Sequence, residues 1–202
     1  MKILFLTNNE VSRPLINWLS ERAFVMVWND KLAPSDVLNM KPDLVVSYSY
    51  RHIIKQDVLD TLPDKFINLH IALLPYNRGA DPNAWSFLDE TPKGVTIHII
   101  DKGIDTGPIL CQREVFFDYA KDTLGGTYAF LQEQIQDLFM KNWDAIRDGI
   151  IVPTKQTAEG TYHHSREFAA IKENLMGAEG WGVTISQFKD RYRLTSADFS
   201  KV

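Results

Sequence analysis

The chain has 202 residues, 45% of them apolar, with five Trp and a formal net charge of −4. That is enough to bury one sizeable core, and the acidic balance excludes a broadly basic nucleic-acid surface. Cys111 is the sole cysteine, which excludes an internal disulfide framework and any cysteine-based metal cluster. The opening apolar run is too short for a signal peptide. No stretch approaches the roughly 20 apolar residues of a membrane helix. The expectation is a cytoplasmic protein with no membrane or nucleic-acid partner.

"KILFL" at Lys2 to Leu6 is a nearly continuous apolar run, as in a strand buried on both faces. "TNN" is a polar turn, and Leu15, Ile16 and Leu19 give helical spacing from about Val11 to Ser20. "FVMVW" at Phe24 to Trp28 reads as a second strand. Ser35 is placed to cap a short helix through Met40. "DLVVSYS", Asp43 to Ser49, is a third strand, "IIKQDVLDTL" a helix, and "FINLH", Phe66 to His70, a fourth strand. This alternation argues for an α/β unit with a parallel sheet, whose ligands sit beyond the carboxyl ends of the strands.

The second half differs. "GVTIHII", Gly94 to Ile100, and "PILCQREVFF" read as strands joined by the turn-rich "DKGIDTG". Their short connection suggests antiparallel additions. Leu131, Ile135, Leu138, Phe139, Trp143 and Ile146 mark one long amphipathic helix starting near Asp122 or Thr123 and ended by Gly149. "SREFAAIKENL" predicts a short helix capped by Ser165, and Gly177 to Val202 shows little periodicity.

The turn after the first strand contains no Gly, so the G-x-G-x-x-G dinucleotide fingerprint is missing, as is a P-loop. No metal site stands out. His163 and His164 are adjacent and would diverge on a regular element, and His98 reads as a satisfied structural histidine. Asn68 and His70 are two residues apart on a strand, so their side chains share a face. An amide N–H stabilises a developing oxyanion, and an imidazole moves protons at neutral pH. Asp105, in "GIDTG", would orient that imidazole if its loop folds over the strand end. The competing reading is a polar strand end that hydrogen-bonds its own loop. Cys111 sits in an apolar strand context and reads as inert core, and Ser47 and Ser49 lack a nucleophile elbow. Without a covalent nucleophile, such a set suits direct attack by an amine or water on a bound carbonyl.

"NLHIALLPYNRGADP" together with "GVTIHIIDKGIDTGPIL" resembles the folate-dependent formyltransferases. The resemblance is specific over residues 68 to 110 and covers about 1 to 150. It implies an α/β, Rossmann-like formyltransferase fold: a mostly parallel sheet with added antiparallel strands. The catalytic domain would be 1–150, with a C-terminal extension, 151–202, packed on it. It implies N10-formyltetrahydrofolate as co-substrate, and Asn68, His70 and Asp105 as catalytic residues. The folate would meet Tyr48, Ser49, Tyr50 and Ile53, then Ala72, Leu73, Leu74 and Pro75, and the loop at Ile99, Ile100, Asp101 and Gly103. Ala72 stands where many relatives carry Ser.

The acceptor amine differs among branches of that family. The initiator-tRNA enzymes carry a further domain of about a hundred residues, and only 52 residues follow Ile150. The purine branch, acting on glycinamide ribonucleotide, has a Gly/Ser-rich loop that "TNNEVSRP" does not match. "PYNRGADPNAW" and "GTYHHSREF" are most similar to the nucleotide-sugar N-formyltransferases. The expected acceptor is therefore an amino-deoxysugar, dTDP-linked, serving lipopolysaccharide or O-antigen synthesis, with the glycinamide ribonucleotide enzyme as the alternative. Tyr76, Arg78, Asp81, Asn83, Trp85, Tyr162 and His163 are the candidates for gripping the sugar or its phosphates. Packing and pairing within the loop is the other reading for them. Exposed aromatics in the last 50 residues favour a homodimer.

Overall fold

A computed structural model describes residues 1–199, with side chains to residue 195. The strands are β1 (Lys2–Leu6), β2 (Phe24–Trp28), β3 (Leu44–Tyr48), β4 (Phe66–His70), β5 (Arg78–Gly79), β6 (Lys93–Ile99), β7 (Ile109–Val115) and β8 (Tyr162–His163). The helices are α1 (Arg13–Ser20), α2 (Pro34–Met40), α3 (Gln56–Leu59), α4 (Pro82–Leu88), α5 (Leu124–Lys141), α6 (Trp143–Arg147), α7 (Ser165–Met176) and α8 (Ile185–Phe199). A six-stranded sheet has the order β2-β1-β3-β4-β6-β7. β1 pairs in parallel with β2 and β3, and β3 with β4, while β6 is antiparallel to β4. The mostly parallel sheet with antiparallel addition is the expected one.

The chain forms two compact units. The first comprises 1–70, 96–112 and 135–157, and the second 71–95, 113–134 and 158–202. In the first, Ile3 to Leu6 are fully buried, as a central strand covered on both faces must be. Leu4, Leu6, Val45 and Phe66 pack with Leu32, Val37, Val58 and Leu59 into one core. β1 and β3 end together: Asn8 N–H donates to the Ser49 carbonyl at 3.1 Å. Beyond β1 the chain makes a 3-10 turn, Glu10–Ser12, in which Val11 N–H donates to the capping Asn9 side chain at 3.0 Å.

Several expected boundaries move. The helix expected from Val11 begins at Arg13, because the preceding turn is 3-10. α2 is capped by Ala33 rather than Ser35: Pro34 takes the first helical position, and Asp36 accepts the Ala33 N–H at 2.8 Å. The helix expected over Ile53 to Leu62 shrinks to α3, closed by the Thr61 hydroxyl on the Val58 carbonyl at 2.6 Å. The single long helix is two, α5 and α6. At the break the Asn142 side chain donates to the Leu138 carbonyl at 2.8 Å, competing with the helical ladder. Gly149, at φ 66°, follows the second.

In the second unit, Ala84, Trp85 and Phe87 of α4 pack with Leu124, Phe168, Leu175, Val183, Ile185 and Phe188. The segment read as aperiodic contains α8, whose buried face is Ile185, Phe188 and Tyr192. α7 is preceded by His164 as its cap, with Ser165 its first helical residue. Two two-residue strands, β5 and β8, pair in parallel, Arg78 with Tyr162 and Gly79 with His163. Gly79 is required there: at φ 87°, a Cβ would lie 2.4 Å from the His163 carbonyl oxygen. Among the described residues, no helix is long and apolar enough to cross a membrane.

Candidate active site

Register builds the site. Asn68 of β4 faces His98 of β6 across the antiparallel ladder, and His70 faces Thr96. Directly paired residues point to one face, so Asn68 brings His98 with it. β6 ends opposite the start of β4, where Ile100 N–H donates to the Phe66 carbonyl at 2.8 Å. The loop after it must therefore fold back to reach Asn68. Asp101 drives that turn by accepting from Gly103 N–H at 3.0 Å and the Thr106 hydroxyl at 2.6 Å. Gly107 then passes so close to the Ile99 carbonyl that a Cβ would lie 1.8 Å from it. The Gln156 amide clamps the loop, donating to the carbonyls of Asp105 at 2.9 Å and Gly107 at 2.8 Å. Asp105 itself has φ 53°, a left-handed conformation that Asp tolerates better than bulkier residues.

The result is a compact polar cluster in the first unit. Asn68 Nδ2 donates to Asp105 Oδ1 at 3.2 Å and lies 3.3 Å from His98 Nε2. His98 Nδ1 faces the Ile99 carbonyl at 2.9 Å. A carbonyl only accepts, so this nitrogen carries a proton, and Nε2 stands 3.3 Å from Asp105 Oδ1. His70 Nδ1 stands 3.7 Å from Asp105 Oδ2, with side-chain exposures of 8% and 12%. The His70 and His98 rings meet edge to face at 6.5 Å. The amide, imidazole and carboxylate singled out from the sequence thus meet at one place. His98, read as merely structural, stands among them. Its position opposite Asn68 follows from strand register, which the sequence does not carry. Among the described residues, no group of His, Cys, Asp and Glu is set to hold a metal.

These residues sit inside a recognisable family signature: residues 28–143, more than half of the chain, match the formyl transferase family. The chain belongs to the formyl transferase family. It is 34% identical over 158 residues to the dTDP-4-amino-4,6-dideoxyglucose formyltransferase of Mycobacterium tuberculosis, covering 78% of this chain and 65% of that protein. It therefore spans just under two thirds of that relative's length. It is 37% identical over 125 residues to the methionyl-tRNA formyltransferase of Thermodesulfovibrio yellowstonii, covering 61% of this chain and 40% of that one. Among solved structures, the formyltransferase PseJ from Anoxybacillus kamchatkensis, in complex with UDP-4,6-dideoxy-4-formamido-L-AltNAc and tetrahydrofolate, superposes with a TM-score of 0.85. The two share 40% identity, over 93% of this chain and 97% of that one.

Of the positions expected to meet folate in this formyltransferase, Tyr48 turns inward, 1% exposed, with its hydroxyl 3.3 Å from Gln136 Nε2. Its side chain belongs to the core. The Tyr50 hydroxyl donates to the Asp30 carbonyl and accepts from Leu32 N–H, and burial raises its pKa above the ordinary 10.0. Ile53 is an exposed apolar side chain, 73% accessible. The N–H groups of Ile99 and Ile100 are already donated to Pro108 and Phe66, and the Ile99 carbonyl faces His98 Nδ1 at 2.9 Å. In the second unit, Ala72 and Leu74 are buried and Leu73 and Pro75 half-buried.

The expected sugar-binding residues also lie in the second unit. β5 and β8 bring Arg78 beside Tyr162 and Gly79 beside His163. Trp85 stacks on His163 at 3.8 Å and packs against Phe168 and Tyr192. The His163 ring nitrogens meet Asp89 at 2.7 Å and Glu167 at 3.0 Å. Asn83 is buried, donating to the Leu124 carbonyl at 3.1 Å. Trp85, His163 and Asn83 are thus engaged in fixing the loop, whereas Tyr76 and Arg78 are half-buried and Asp81 and Tyr162 exposed.

Proposed function

We propose that this formyltransferase moves a formyl group from N10-formyltetrahydrofolate to the C4 amine of a nucleoside-diphosphate-linked 4-amino-4,6-dideoxyhexose. The observation that carries the chemistry is the meeting of Asn68, His70 and Asp105 within 3.2–3.7 Å in a nearly water-free cluster. The choice of acceptor is supported by two relatives, the mycobacterial enzyme and PseJ, both named for sugars with nitrogen at C4. The folate supplies an electrophilic formyl carbon whose oxygen gains negative charge as an amine adds to it. The cluster fits that demand. Asn68 Nδ2 donates to Asp105 Oδ1 at 3.2 Å, a long bond that an incoming oxygen replaces at little cost. Asn68 is the donor aimed at the developing oxyanion. His70 takes part in the proton transfer, and Asp105 stabilises positive charge on its ring. Exposed Ile53 and the loop at 99–103 would hold the pterin.

The test is incubation with formyltetrahydrofolate and a panel of acceptors, read by mass spectrometry for the gain of one formyl group. The panel holds UDP- and dTDP-linked 4-amino sugars, their 3-amino isomers and glycinamide ribonucleotide. Formylation confined to 4-amino sugars is expected. Turnover of the 3-amino isomers or glycinamide ribonucleotide in their place would overturn the assignment. We further read the protein as a homodimer whose formamido product enters surface polysaccharide. The dimer is supported by Phe116 and Val152, each 84% exposed, and sedimentation tests it.

A further inference from the structure

The Asp105 carboxylate is placed more firmly by its backbone than by its own contacts. It lies 3.2 Å from Asn68 Nδ2, 3.3 Å from His98 Nε2 and 3.7 Å from His70 Nδ1. A carboxylate anchored on these groups would sit at roughly 2.7–2.9 Å, the length of a charge-assisted bond. Its backbone stands at φ 53°, outside the regions that a free chain prefers. Something beyond the carboxylate must therefore hold the loop in place. The Asp101 side chain ties the loop to itself, through Gly103 and Thr106. Gln156 ties it to another segment: its Nε2 lies 2.9 Å from the Asp105 carbonyl and 2.8 Å from the Gly107 carbonyl. An amide nitrogen carries two hydrogens, one for each of these acceptors.

Strand pairing carries Gln156 to that place. Ile109, the first residue of β7, and Thr154 exchange two backbone hydrogen bonds, each 2.8 Å. Antiparallel register then sets Gln156 opposite Gly107. Gln156 is half-buried, while Val152 to Lys155 and Thr157 around it are exposed. Its side chain thus serves the loop rather than a core. It also lies beyond residues 28–143, the stretch that matches the family.

We infer that Gln156 is a positioning residue for formyl transfer, holding the Asp105 carboxylate against His70 and Asn68 from outside the loop. The inference rests on the reading of Asn68, His70 and Asp105 as the reacting groups, and its test separates the two. Gln156→Ala removes both bonds, and Gln156→Glu keeps the length but turns an acceptor toward two carbonyls. Each is made in the full chain, alone and together with Asp105→Asn. The readouts are the single-turnover rate with the acceptor found active in the panel, steady-state KM and thermal melting. Misplacing a reacting group by about 1 Å costs about 10²-fold, so both single variants should transfer the formyl group about a hundredfold more slowly. KM for both substrates should stay within about threefold of the wild type. Beside Asp105→Asn, neither should slow the step more than about threefold further, because residues that act through one another are not additive. Near-wild-type rates in the folded Gln156 variants, with Asp105→Asn slow, overturn the proposal and keep the catalytic reading. So does an equal loss that persists beside Asp105→Asn, or one carried by KM alone. A wild-type rate in Asp105→Asn refutes the catalytic reading and the proposal together.

Discussion

Asp105→Asn keeps the size and shape of the side chain and removes its charge. The amide oxygen can still accept from Asn68, so the contact at 3.2 Å survives. What is lost is the field at His70, whose Nδ1 lies 3.7 Å from Asp105 Oδ2. Both side chains are nearly excluded from water, so screening is weak. At that distance, with an effective dielectric of about 20, a unit charge on the imidazole is stabilised by about 4 kcal/mol. If His70 gains its proton in the transition state, that stabilisation lies in the barrier, and its loss slows the step by about 10³-fold. The assay is single-turnover formyl transfer to the amino-sugar nucleotide found active in the panel, with circular dichroism and thermal melting to establish the fold. Asp105→Asn should bind tetrahydrofolate like the wild type and transfer the formyl group about a thousandfold more slowly. A folded variant within about threefold of the wild-type rate, under 1 kcal/mol, would show that the His70 ring never carries charge that Asp105 must stabilise.

Asn68→Ala removes the donor proposed for the oxyanion and should cost about 10²–10³ in kcat. KM for both substrates should change little, and an unchanged kcat would take Asn68 out of the reaction. Lys93 is buried, its ammonium donating to the Thr91 carbonyl and lying over Phe87 and Tyr119. Burial, then repulsion from Lys189, lowers its pKa from 10.5 to about 8. Below about 8 both states are protonated and the full cost of the buried charge is present. Between about 8 and 10.5 only the unfolded chain holds the proton, so stability should climb with pH. Lys93→Met should flatten that climb in denaturant titrations, and an identical slope in both proteins would count against the assignment. His163→Phe keeps the stack on Trp85 and loses the bonds to Asp89 and Glu167. Its melting temperature should fall. His163 holds the Glu167 carboxyl below its ordinary 4.5, so this stabilisation is full above that value and fades as the pH drops through the lowered one. The gap between variant and wild type should therefore narrow in acid, and a gap that widens would show the pairing is not the cause.

The buried strands were legible because burial on both faces demands apolar runs, as in "KILFL" and "FINLH". Asn68 and His70 were legible because they break such a run at alternate positions. β5 and β8 were not: each has two residues and exists only through pairing between positions more than eighty residues apart. α4 hides behind Pro82 and a loop rich in turn residues. Among its described side chains α8 sets Ile185, Phe188 and Tyr192 into the core amid many polar residues, too sparse a stripe to read without the core it meets. His98 looked like any polar residue on an alternating strand, and Gln156 like loop. Their roles depend on which strand lies opposite and how a loop folds back, neither of which is a local property of the sequence.

The pairing of His70 with Thr96 has a consequence for how this chain can vary. It is the point at which the polypeptide leaves the first unit, at Ile71, and returns, at Thr96. The ladder beneath that seam, from Ile67–Ile99 to Asn68–His98, holds the reacting groups in register whatever the intervening stretch contains. Lengthening an excursion closed by such a ladder costs little entropy, about 0.6 kcal/mol per doubling. The exposed turns within this excursion can therefore be lengthened while Asn68, His98 and Asp105 keep their geometry, whereas Trp85 and Phe87 of α4 and the β6 residues 93–95 are held by core and ladder.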